Sequence, residues 1–520
     1  MPSRRAWRRV ALAGVALGAV LLFAVLATLN AGGYQYGASD QAFYIPAVRH
    51  HLDPQLFLRD WPMLSAQDRL NLFTAALALT SRAAGLSLPV LFFLAHLVGL
   101  VVLFGAIAAI GRTLYRSWWT VAAFALAMTL RHRVVQTGVN TLESYMHPRM
   151  IAFAVGASAV AVFLRGAAWP AIVLAAAAAV IHPTTGVWFC LLLGVAALVC
   201  DRRARWPVAC AAGGLGVAVA AWLAWNGVPR GLFARMDDTW LSALAAKTYL
   251  FPDAWDLWAW ALMAAIPILV CVVYRARAGA GVVVPQERGL VGGTLALLVV
   301  LVAALPFIAL RSAVVVRLQV PRVLWMMELL ATAYAVWWLV ERPSPAGRPT
   351  TVSGGRLAVV AMLALFAVTR GAYVTFVEHA GRPVVRLDLA ADEWRDAMDW
   401  LAATPVSVHV LADPGHAWKY GSSVRVAAGR DVFQEESKDA AFAVYSRNTA
   451  LRVIERTREI GDFQQLTAAR ARELAAKYDL DYVVTEQPLD LPVAYRNRRF
   501  AVYSLTARPS GLGQPGRLPY

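Results

Sequence analysis

Long apolar segments recur along the chain, and most come close to the ~20 residues that a helix needs to cross the hydrocarbon core of a bilayer. Val10–Leu29, Val90–Ile110 and Leu290–Leu310 are clear examples. We predict eleven membrane-spanning helices, near residues 10–29, 89–111, 117–131, 149–165, 169–182, 185–200, 206–225, 257–275, 289–310, 321–340 and 356–376. The pattern therefore predicts a polytopic α-helical membrane protein.

One further apolar segment, residues 66–84, is interrupted by Asp68, Arg69, Asn71 and Arg82. Charged residues at these positions favour a helix that lies in the membrane interface over one that crosses it. We therefore predict an amphipathic helix on the outer surface. If this segment crossed the membrane, the C-terminal region would lie on the opposite side.

The chain changes character after the last predicted span. From Asp392 onward, charged residues return, and short strand-like stretches alternate with amphipathic helical ones. We predict strands near 406–411, 482–485 and 500–505, and helices near 391–402 and 467–478. The predicted organisation is a membrane domain (1–378, with outer loops 30–88 and 132–148), a small extracytoplasmic α/β domain (379–508) and a disordered tail (509–520).

Composition agrees with this interpretation. Of the 520 residues, 59% are hydrophobic and 16% are charged, whereas an average soluble domain has about 45–50% and about 25%. The net charge of +17 is explained by arginine-rich cytoplasmic loops that meet anionic lipid. Membrane lipids are therefore expected partners and nucleic acid is not.

The arginine clusters also set the predicted orientation, because cytoplasmic loops carry an excess of Lys and Arg. The basic N-terminus and the loops at 112–116, 201–205, 274–288 and 341–356 are the strongest cytoplasmic segments. The first apolar run is longer than the ~7–15 residues of a signal-peptide core, so we interpret it as a retained anchor. We predict a bacterial inner-membrane protein with a cytoplasmic N-terminus and a periplasmic C-terminal domain.

The first outer loop begins with a carboxylate among aromatic residues. Asp40 follows the first predicted span within about ten residues, and Gly37 allows the chain to turn back over the membrane. An isolated charge beside a bilayer is costly unless it has a function. Asp40 is therefore a candidate catalytic residue and Tyr44 a candidate substrate contact, although an interfacial helix with solvated charges would also explain this loop.

The second outer loop contains Glu143, His147 and Arg149. Glu143 and His147 are four residues apart and could share one helical face. Such a pair fits a metal site, a proton relay or a hydrogen-bonded cap.

Further along the chain, His182 and Pro183 interrupt two apolar runs. Non-helical backbone at membrane depth is tolerated where it lines a cavity or is buried in protein. His182 is thus either a cavity residue or part of a simple helix–helix turn.

Three arginines, Arg311, Arg317 and Arg322, lie in and beside a short predicted outer loop over 311–321. The positive-inside rule disfavours them there. Guanidinium groups bind phosphate in a bidentate manner and stay charged when partly buried. We expect them to bind either a lipid-linked phosphate or ordinary phospholipid headgroups.

The pattern resembles the GT-C superfamily of membrane glycosyltransferases, which use polyprenyl-phosphate-linked sugars. The matching features are Gly37-Ala38-Ser39-Asp40 after the first span, Glu143 in the second loop, His147-Pro148-Arg149, His182-Pro183-Thr184 and Tyr482-Val483-Val484-Thr485. These pieces look like uncharacterised bacterial members of the group. The second loop has no Asp-x-Asp motif, and the C-terminal domain has no Trp-Trp-Asp motif.

The resemblance implies an enzyme that transfers one hexose or pentose, with inversion, from a lipid-linked donor to an acceptor hydroxyl at the outer face of the inner membrane. It implies that Asp40 is the general base and that Arg317 and Arg322 hold the departing phosphate. Glu143 and His147 would position the acceptor or tune Asp40. No metal ligand is assigned, and a divalent metal is left open as cofactor.

Two other functions fit the same residues. A transporter of polyprenyl phosphate or another anionic lipid would also need arginines and buried acids, but should show repeat symmetry, which we do not find in the sequence. A non-catalytic assembly protein could bind a partner through its C-terminal domain, where Asp413-Pro414-Gly415-His416, Trp418 and Tyr420 form either a binding loop or a structural turn. The sequence does not specify an oligomeric state.

Overall fold

The computed structural model describes residues 4–201, 234–342 and 354–506, together with a few residues between 203 and 221. The side chains of residues 4–9 lie outside this description. The predicted span near 206–225 and the predicted tail over 509–520 also fall largely or wholly outside it.

Within the described residues, seven helical segments are long and apolar enough to cross a membrane, which confirms the prediction of a multi-pass helical membrane protein. They are Val10–Asn30, Leu88–Leu114, Pro183–Cys200, Leu257–Gly279, Pro285–Ala309, Ala313–Val340 and Gly354–Glu378. Each coincides with a predicted span. The segment Ala313–Val340 contains most of the predicted loop over 311–321, which is largely helical instead of being an irregular loop.

Three shorter apolar helices occupy three further predicted spans. They are Trp118–Met128, Pro148–Leu164 and Ala168–Ile181. Helix Trp118–Met128 has 11 residues, and at 1.5 Å per residue it is shorter than a bilayer core. Ten of the eleven predicted spans thus coincide with apolar helices in the described residues, and the eleventh, near 206–225, lies largely outside them. The total of eleven membrane crossings stays a prediction.

The segment predicted as one amphipathic helix over 66–84 is divided into two helices, α3 (Trp61–Asp68) and α4 (Phe73–Ala84). Polar side chains form the break between them. The Asn71 side chain accepts a hydrogen bond from the Phe73 N–H over 3.0 Å, and the Thr74 hydroxyl donates to Asp68 over 2.5 Å. Asn and Asp bond the backbone locally in this way and so terminate helices, which the apolar pattern alone did not reveal.

The chain divides into two compact units. The first unit contains residues 1–36 and 67–388, and the second contains residues 37–66 and 389–520. This differs from the predicted boundary after residue 378 and from the placement of the whole first loop, 30–88, in the membrane domain. Strand β1 (Tyr34–Gln35) pairs with β4 (Val385–Arg386), so the residues just after the last span stay with the first unit.

The first unit is held together by helix packing and by one fully buried ion pair. Helix α5 (Leu88–Leu114) packs on the helix Pro148–Leu164, and the helix Pro285–Ala309 packs on Pro183–Cys200. Arg277 contacts both Glu287 carboxylate oxygens, at 2.8 and 2.9 Å. The Tyr334 hydroxyl donates to the same carboxylate over 2.8 Å, so the buried charges are paired and hydrogen-bonded as burial requires.

The second unit contains a five-stranded sheet, which confirms the predicted small α/β domain. The strands are β5 (His409–Ala412), β6 (Asp431–Val432), β7 (Tyr482–Thr485), β8 (Val493–Arg496) and β9 (Ala501–Ser504). Their order in the sheet is β6-β5-β7-β9-β8. The first three are parallel and the last two join antiparallel.

Both faces of the sheet are buried along the central strands β5 and β7. Val410 and Val484 belong to one apolar cluster, whereas Leu411 and Val483 belong to another. Successive strand residues point to opposite faces, so each cluster covers one side. Between residues 389 and 506 the α-helices of this unit are α16 (Glu393–Ala402), α17 (His416–Lys419), α18 (Val424–Ala427), α19 (Glu436–Phe442), α20 (Arg447–Ile460) and α21 (Ala468–Tyr478).

A buried ion network binds the first-loop segment into the second unit. Asp60 is fully buried and accepts from Arg425 Nε over 2.7 Å and from Arg452. Arg425 also donates to Asp439 over 2.7 and 3.1 Å. Charges so far from water must be paired, and this pairing is the physical reason why residues 37–66 join the C-terminal domain instead of the membrane helices.

The arginines control the ionisation of this network. Burial raises the pKa of Asp60, but the charges of Arg425 and Arg452 outweigh burial and leave the pKa far below its usual range. Asp431 lies close to Asp60, and burial together with the Asp60 charge raises the pKa of Asp431 to about 6. Asp60 is therefore the carboxylate that stays ionised.

Candidate functional sites

Asp40 lies immediately before α2 (Gln41–Leu52) in the second unit. Its carboxylate accepts a hydrogen bond from the Lys438 ammonium over 2.7 Å. The Asp40 side chain is 22% exposed and the Lys438 side chain is 6% exposed. The carboxylate is therefore accessible to solvent on a side chain that is fixed from one direction by a buried cation.

Aromatic rings surround the Lys438 ammonium. It lies 5.1 Å from the centre of the Phe43 ring and 5.7 Å from that of Trp418, both within range of a cation–π interaction. Tyr44, the predicted substrate contact, is buried. It is thus part of the packing around α2, and a role for Tyr44 in substrate binding stays a prediction.

The turn before Asp40 depends on Gly37, as the sequence suggested. Gly37 has φ +77, a left-handed conformation that side chains disfavour. A Cβ at this position would lie 2.3 Å from the Leu389 side chain. The Gly37 N–H donates to the Gln41 side chain over 2.6 Å. This local hydrogen bond stabilises the turn that carries Asp40.

Glu143 and His147 do not share a helical face, so that expectation was wrong. Both lie in the non-helical stretch before the helix Pro148–Leu164. Proline disfavours helical backbone in the residue that precedes it, and His147 has φ −130 and ψ 134 as a consequence. His147 acts as the helix N-cap, because its Nδ1 accepts from the Arg149 N–H over 3.1 Å.

Glu143 pairs with arginine. Its carboxylate accepts from Arg149 Nη2 over 2.5 Å and lies 3.7 Å from Arg131 Nη2. The Glu143 and Arg149 side chains are 3% and 6% exposed. Arg131 and Arg149 carry two positive charges beside the single negative charge of Glu143. These three side chains together therefore have a net positive charge.

His182 joins this group from the turn between the helices Ala168–Ile181 and Pro183–Cys200. Its ring centre lies 5.7 Å from that of His147, and the Thr185 hydroxyl is 2.9 Å from its Nδ1. Burial lowers the pKa of His182 well below its usual range, and the charges of His147, Arg322 and Arg149 lower it further. His182 is therefore a neutral histidine beside cations.

The three predicted phosphate-binding arginines have different surroundings. Arg311 forms an ion pair with Asp253 at 2.9 Å. Arg317 lies over the Trp240 ring at 5.4 Å. Arg322 lies over the Tyr249 ring at 5.8 Å and acts electrostatically on His182, so it belongs with the residues around His182.

The first unit thus brings together five predicted site residues, which we name the His182 cluster: Glu143, His147, Arg149, His182 and Arg322. Histidine and carboxylate side chains are present in the cluster. Across the described ranges, however, the His, Cys, Asp and Glu side chains do not form a group of three that could hold a metal ion.

Sequence reasoning missed Lys438 and gave no role to Arg131. Lys438 is one of only four lysines in a chain with 49 basic side chains, which is a weak signal that could have singled it out. Its pairing with Asp40 spans 398 positions of sequence, and a local pattern cannot reveal such a contact.

No protein-family model matches the chain, and no curated protein matches it. Among solved structures, the chain is similar to the crystal structure of the apo oligosaccharyltransferase of Archaeoglobus fulgidus, with TM-score 0.48 and 12% identity, over 91% of this chain and 69% of that one. It is also similar to the cryo-EM structure of the arabinofuranosyltransferase AftD from Mycobacteria, with TM-score 0.49 and 16% identity, over 94% of this chain. The chain spans 35% of the length of that second protein.

Proposed function

We propose that this protein is a membrane glycosyltransferase that moves one sugar from a polyprenyl-phosphate-linked donor to an acceptor hydroxyl. The proposal combines the sequence resemblance to the GT-C superfamily with the charges of the His182 cluster. The observation that carries the donor assignment is the clustering of cations in this region: the buried Arg149 and the nearby Arg131 lie beside Glu143, and Arg149 and Arg322 both act electrostatically on His182.

An anionic headgroup is the ligand that such a cluster favours. Arg149 and Arg322 supply guanidinium groups, which match phosphate oxygens in geometry and stay charged when buried. His182 adds a neutral ring, because its pKa is lowered, and it can donate a hydrogen bond without adding charge. Glu143 holds Arg149 in place over 2.5 Å. We assign the departing phosphate to this cluster, with Arg317 and Arg311 contributing more weakly.

We assign Asp40 as the general base. Its carboxylate takes the proton of the acceptor hydroxyl, and the acceptor oxygen forms a bond to the anomeric carbon of the donor sugar. The bond between that carbon and the phosphate oxygen breaks, and the electron pair leaves with the phosphate. General base catalysis of this kind contributes about 10²–10⁴-fold in rate, and cations that stabilise the leaving phosphate add to it.

The test uses the full-length protein in proteoliposomes with a panel of radiolabelled polyprenyl-phospho-sugars and a membrane extract as the source of acceptors. We expect release of polyprenyl phosphate from at least one donor, together with label in a new product. A transporter would move the intact donor between leaflets without cleaving it. Movement without cleavage for every donor in the panel would refute the transferase assignment.

A further inference from the structure

We propose that the exposed indole of Trp418 is a binding platform for the acceptor, and that the acceptor is a carbohydrate. This inference rests on the proposed function, since it names the class of molecule that Asp40 would deprotonate. Trp418 lies in α17, in the same unit as Asp40.

Trp418 is unusual in its exposure. The exposed large apolar side chains among the described residues of the second unit are Leu58, Trp418, Leu451 and Val493, and Trp418 is the one aromatic residue in this set. Its side chain is 66% exposed. Single exposed aliphatic residues are ordinary, but a tryptophan that leaves most of its ring in water gives up a large burial energy.

The exposed Trp418 ring lies close to the assigned base, because both are near the same ammonium group. The Lys438 ammonium lies 5.7 Å from the Trp418 ring centre and 2.7 Å from the Asp40 carboxylate oxygen. One buried ammonium therefore lies within cation–π range of the exposed ring and donates a hydrogen bond to the assigned base. One sugar ring stacked on the indole could place a hydroxyl group at the carboxylate, because the shared ammonium keeps the two groups close together.

Carbohydrate fits this surface better than an apolar ligand does. Next to Trp418 in α17, Lys419 pairs with Asp413, whose carboxylate also accepts from Gln464 over 3.0 Å. Sugar rings present C–H groups to an aromatic face and hydroxyl groups to polar neighbours. The indole face offers the first kind of contact, and the Lys438 ammonium beside it, with the Asp40 carboxylate that this ammonium binds, offers the second, as binding sites with few oriented polar groups do.

The neighbouring aromatic residue provides a contrast. Tyr420 packs between Trp394 and Phe500, with ring centres 4.7 and 4.8 Å away, and its hydroxyl donates to Glu486 over 2.8 Å. Both the ring and the hydroxyl of Tyr420 thus make structural contacts within the domain. Of the two aromatic residues that the sequence offered for a binding loop, we assign Trp418 alone to the ligand.

The first experiment measures binding without activity. Saturation-transfer NMR on the full-length protein in nanodiscs, with maltotriose, mannobiose and an arabinofuranose trisaccharide as probes, should show transfer to at least one sugar. Trp418→Ala should lose it, and Trp418→Phe should retain it in part. Leu451→Ala is the matched control for an exposed apolar residue on the same unit and should behave like the wild-type protein. Equal transfer in the wild-type and Trp418→Ala proteins, or none to any probe, would overturn the platform.

The second experiment separates this inference from the proposed function. In the transfer assay, Trp418→Ala should raise the acceptor KM about tenfold, as expected for loss of an aromatic anchor, with the donor KM unchanged. If Trp418→Ala is active and its acceptor KM is unchanged, the platform is refuted, whereas the assignment of the protein as a transferase is not affected. Stronger quenching of tryptophan fluorescence by brominated lipid in the wild-type protein than in Trp418→Phe, with sugars having no effect on it, would instead show that the indole meets the membrane and would also refute the platform.

Discussion

Lys438 donates a hydrogen bond to the Asp40 carboxylate over 2.7 Å, although 398 positions of sequence separate the two residues. The ammonium is buried and the carboxylate is partly exposed. This pair connects a residue that follows the first membrane span to the C-terminal sheet domain. Through Lys438, that domain helps to position Asp40, the residue that we assign as the general base.

Asp40→Asn should reduce sugar transfer by at least about 10²-fold, because an amide cannot accept the acceptor proton. The fold should survive, since the amide oxygen can still accept from Lys438. The check is a transfer assay alongside thermal unfolding and donor binding. A fully active Asp40→Asn protein would remove Asp40 from the mechanism.

Lys438→Met should destabilise the second unit by about 1–2 kcal/mol, because it leaves the Asp40 carboxylate without its charged donor, and should also reduce transfer. Lys438→Arg should restore part of both. Lys477→Met is the control, because Lys477 is an exposed lysine that pairs with Glu459. Hydrogen exchange in the sheet amides measures the stability of the unit; equal effects of the two methionine variants would argue against a special role for Lys438.

Arg425→Met should be far more damaging to stability, by about 3–5 kcal/mol, because it removes the arginine that pairs with the buried Asp439 and one of the two arginines that pair with the buried Asp60. We expect limited proteolysis to cut residues 37–66 in this variant sooner than in the wild-type protein. Arg395→Met removes a partly exposed pair with Asp399 and should cost only about 0.3–0.5 kcal/mol. Similar losses in the two variants would contradict the anchoring role of the Asp60 network.

Arg322→Ala should raise the donor KM by about tenfold or more, because it removes a charge-assisted contact to phosphate. Arg317→Ala should raise it too, and Arg311→Ala should have the smallest effect, since Asp253 already pairs with Arg311. Arg235→Ala is the control, because Arg235 is exposed and donates to the Leu310 carbonyl. An unchanged donor KM in Arg322→Ala would remove the phosphate from the His182 cluster.

Glu435→Gln should stabilise the second unit at neutral pH. Burial raises the pKa of Glu435 to about 7, against the opposing charge of Arg425. A carboxyl group whose pKa is raised in the folded state binds its proton more tightly there, so its contribution falls as pH rises from about 4.5 to about 7. The difference in Tm between variant and wild type should therefore grow in favour of the variant between pH 5 and about 7, and a difference that does not change with pH would contradict the raised pKa.

Much of the fold followed from local patterns. The strand Tyr482–Thr485 has the predicted bounds, and helix α21 begins at Ala468, one residue after the Thr467 N-cap, because strand periodicity and helix caps are written in consecutive residues. The break between α3 and α4 was missed. There, single polar side chains, such as Asn71 bonded to the Phe73 N–H, overrode a continuous apolar pattern.

The sequence predicted only part of the candidate site. His147 was singled out as a residue type, but its place before Pro148 made it a helix cap and left Arg149 as the partner of Glu143. Spacing of four residues suggests a shared face only if the backbone is helical, and proline prevented that.

The sequence by itself determined that this is a multi-pass helical membrane protein with a small α/β domain, because bilayer thickness and strand alternation act on neighbouring residues. Only the tertiary structure decided that residues 37–66 belong with that domain and that Lys438 is the partner of Asp40. Those outcomes follow from the need to pair buried charges such as Asp60 and Arg425, whose partners can lie anywhere along the chain.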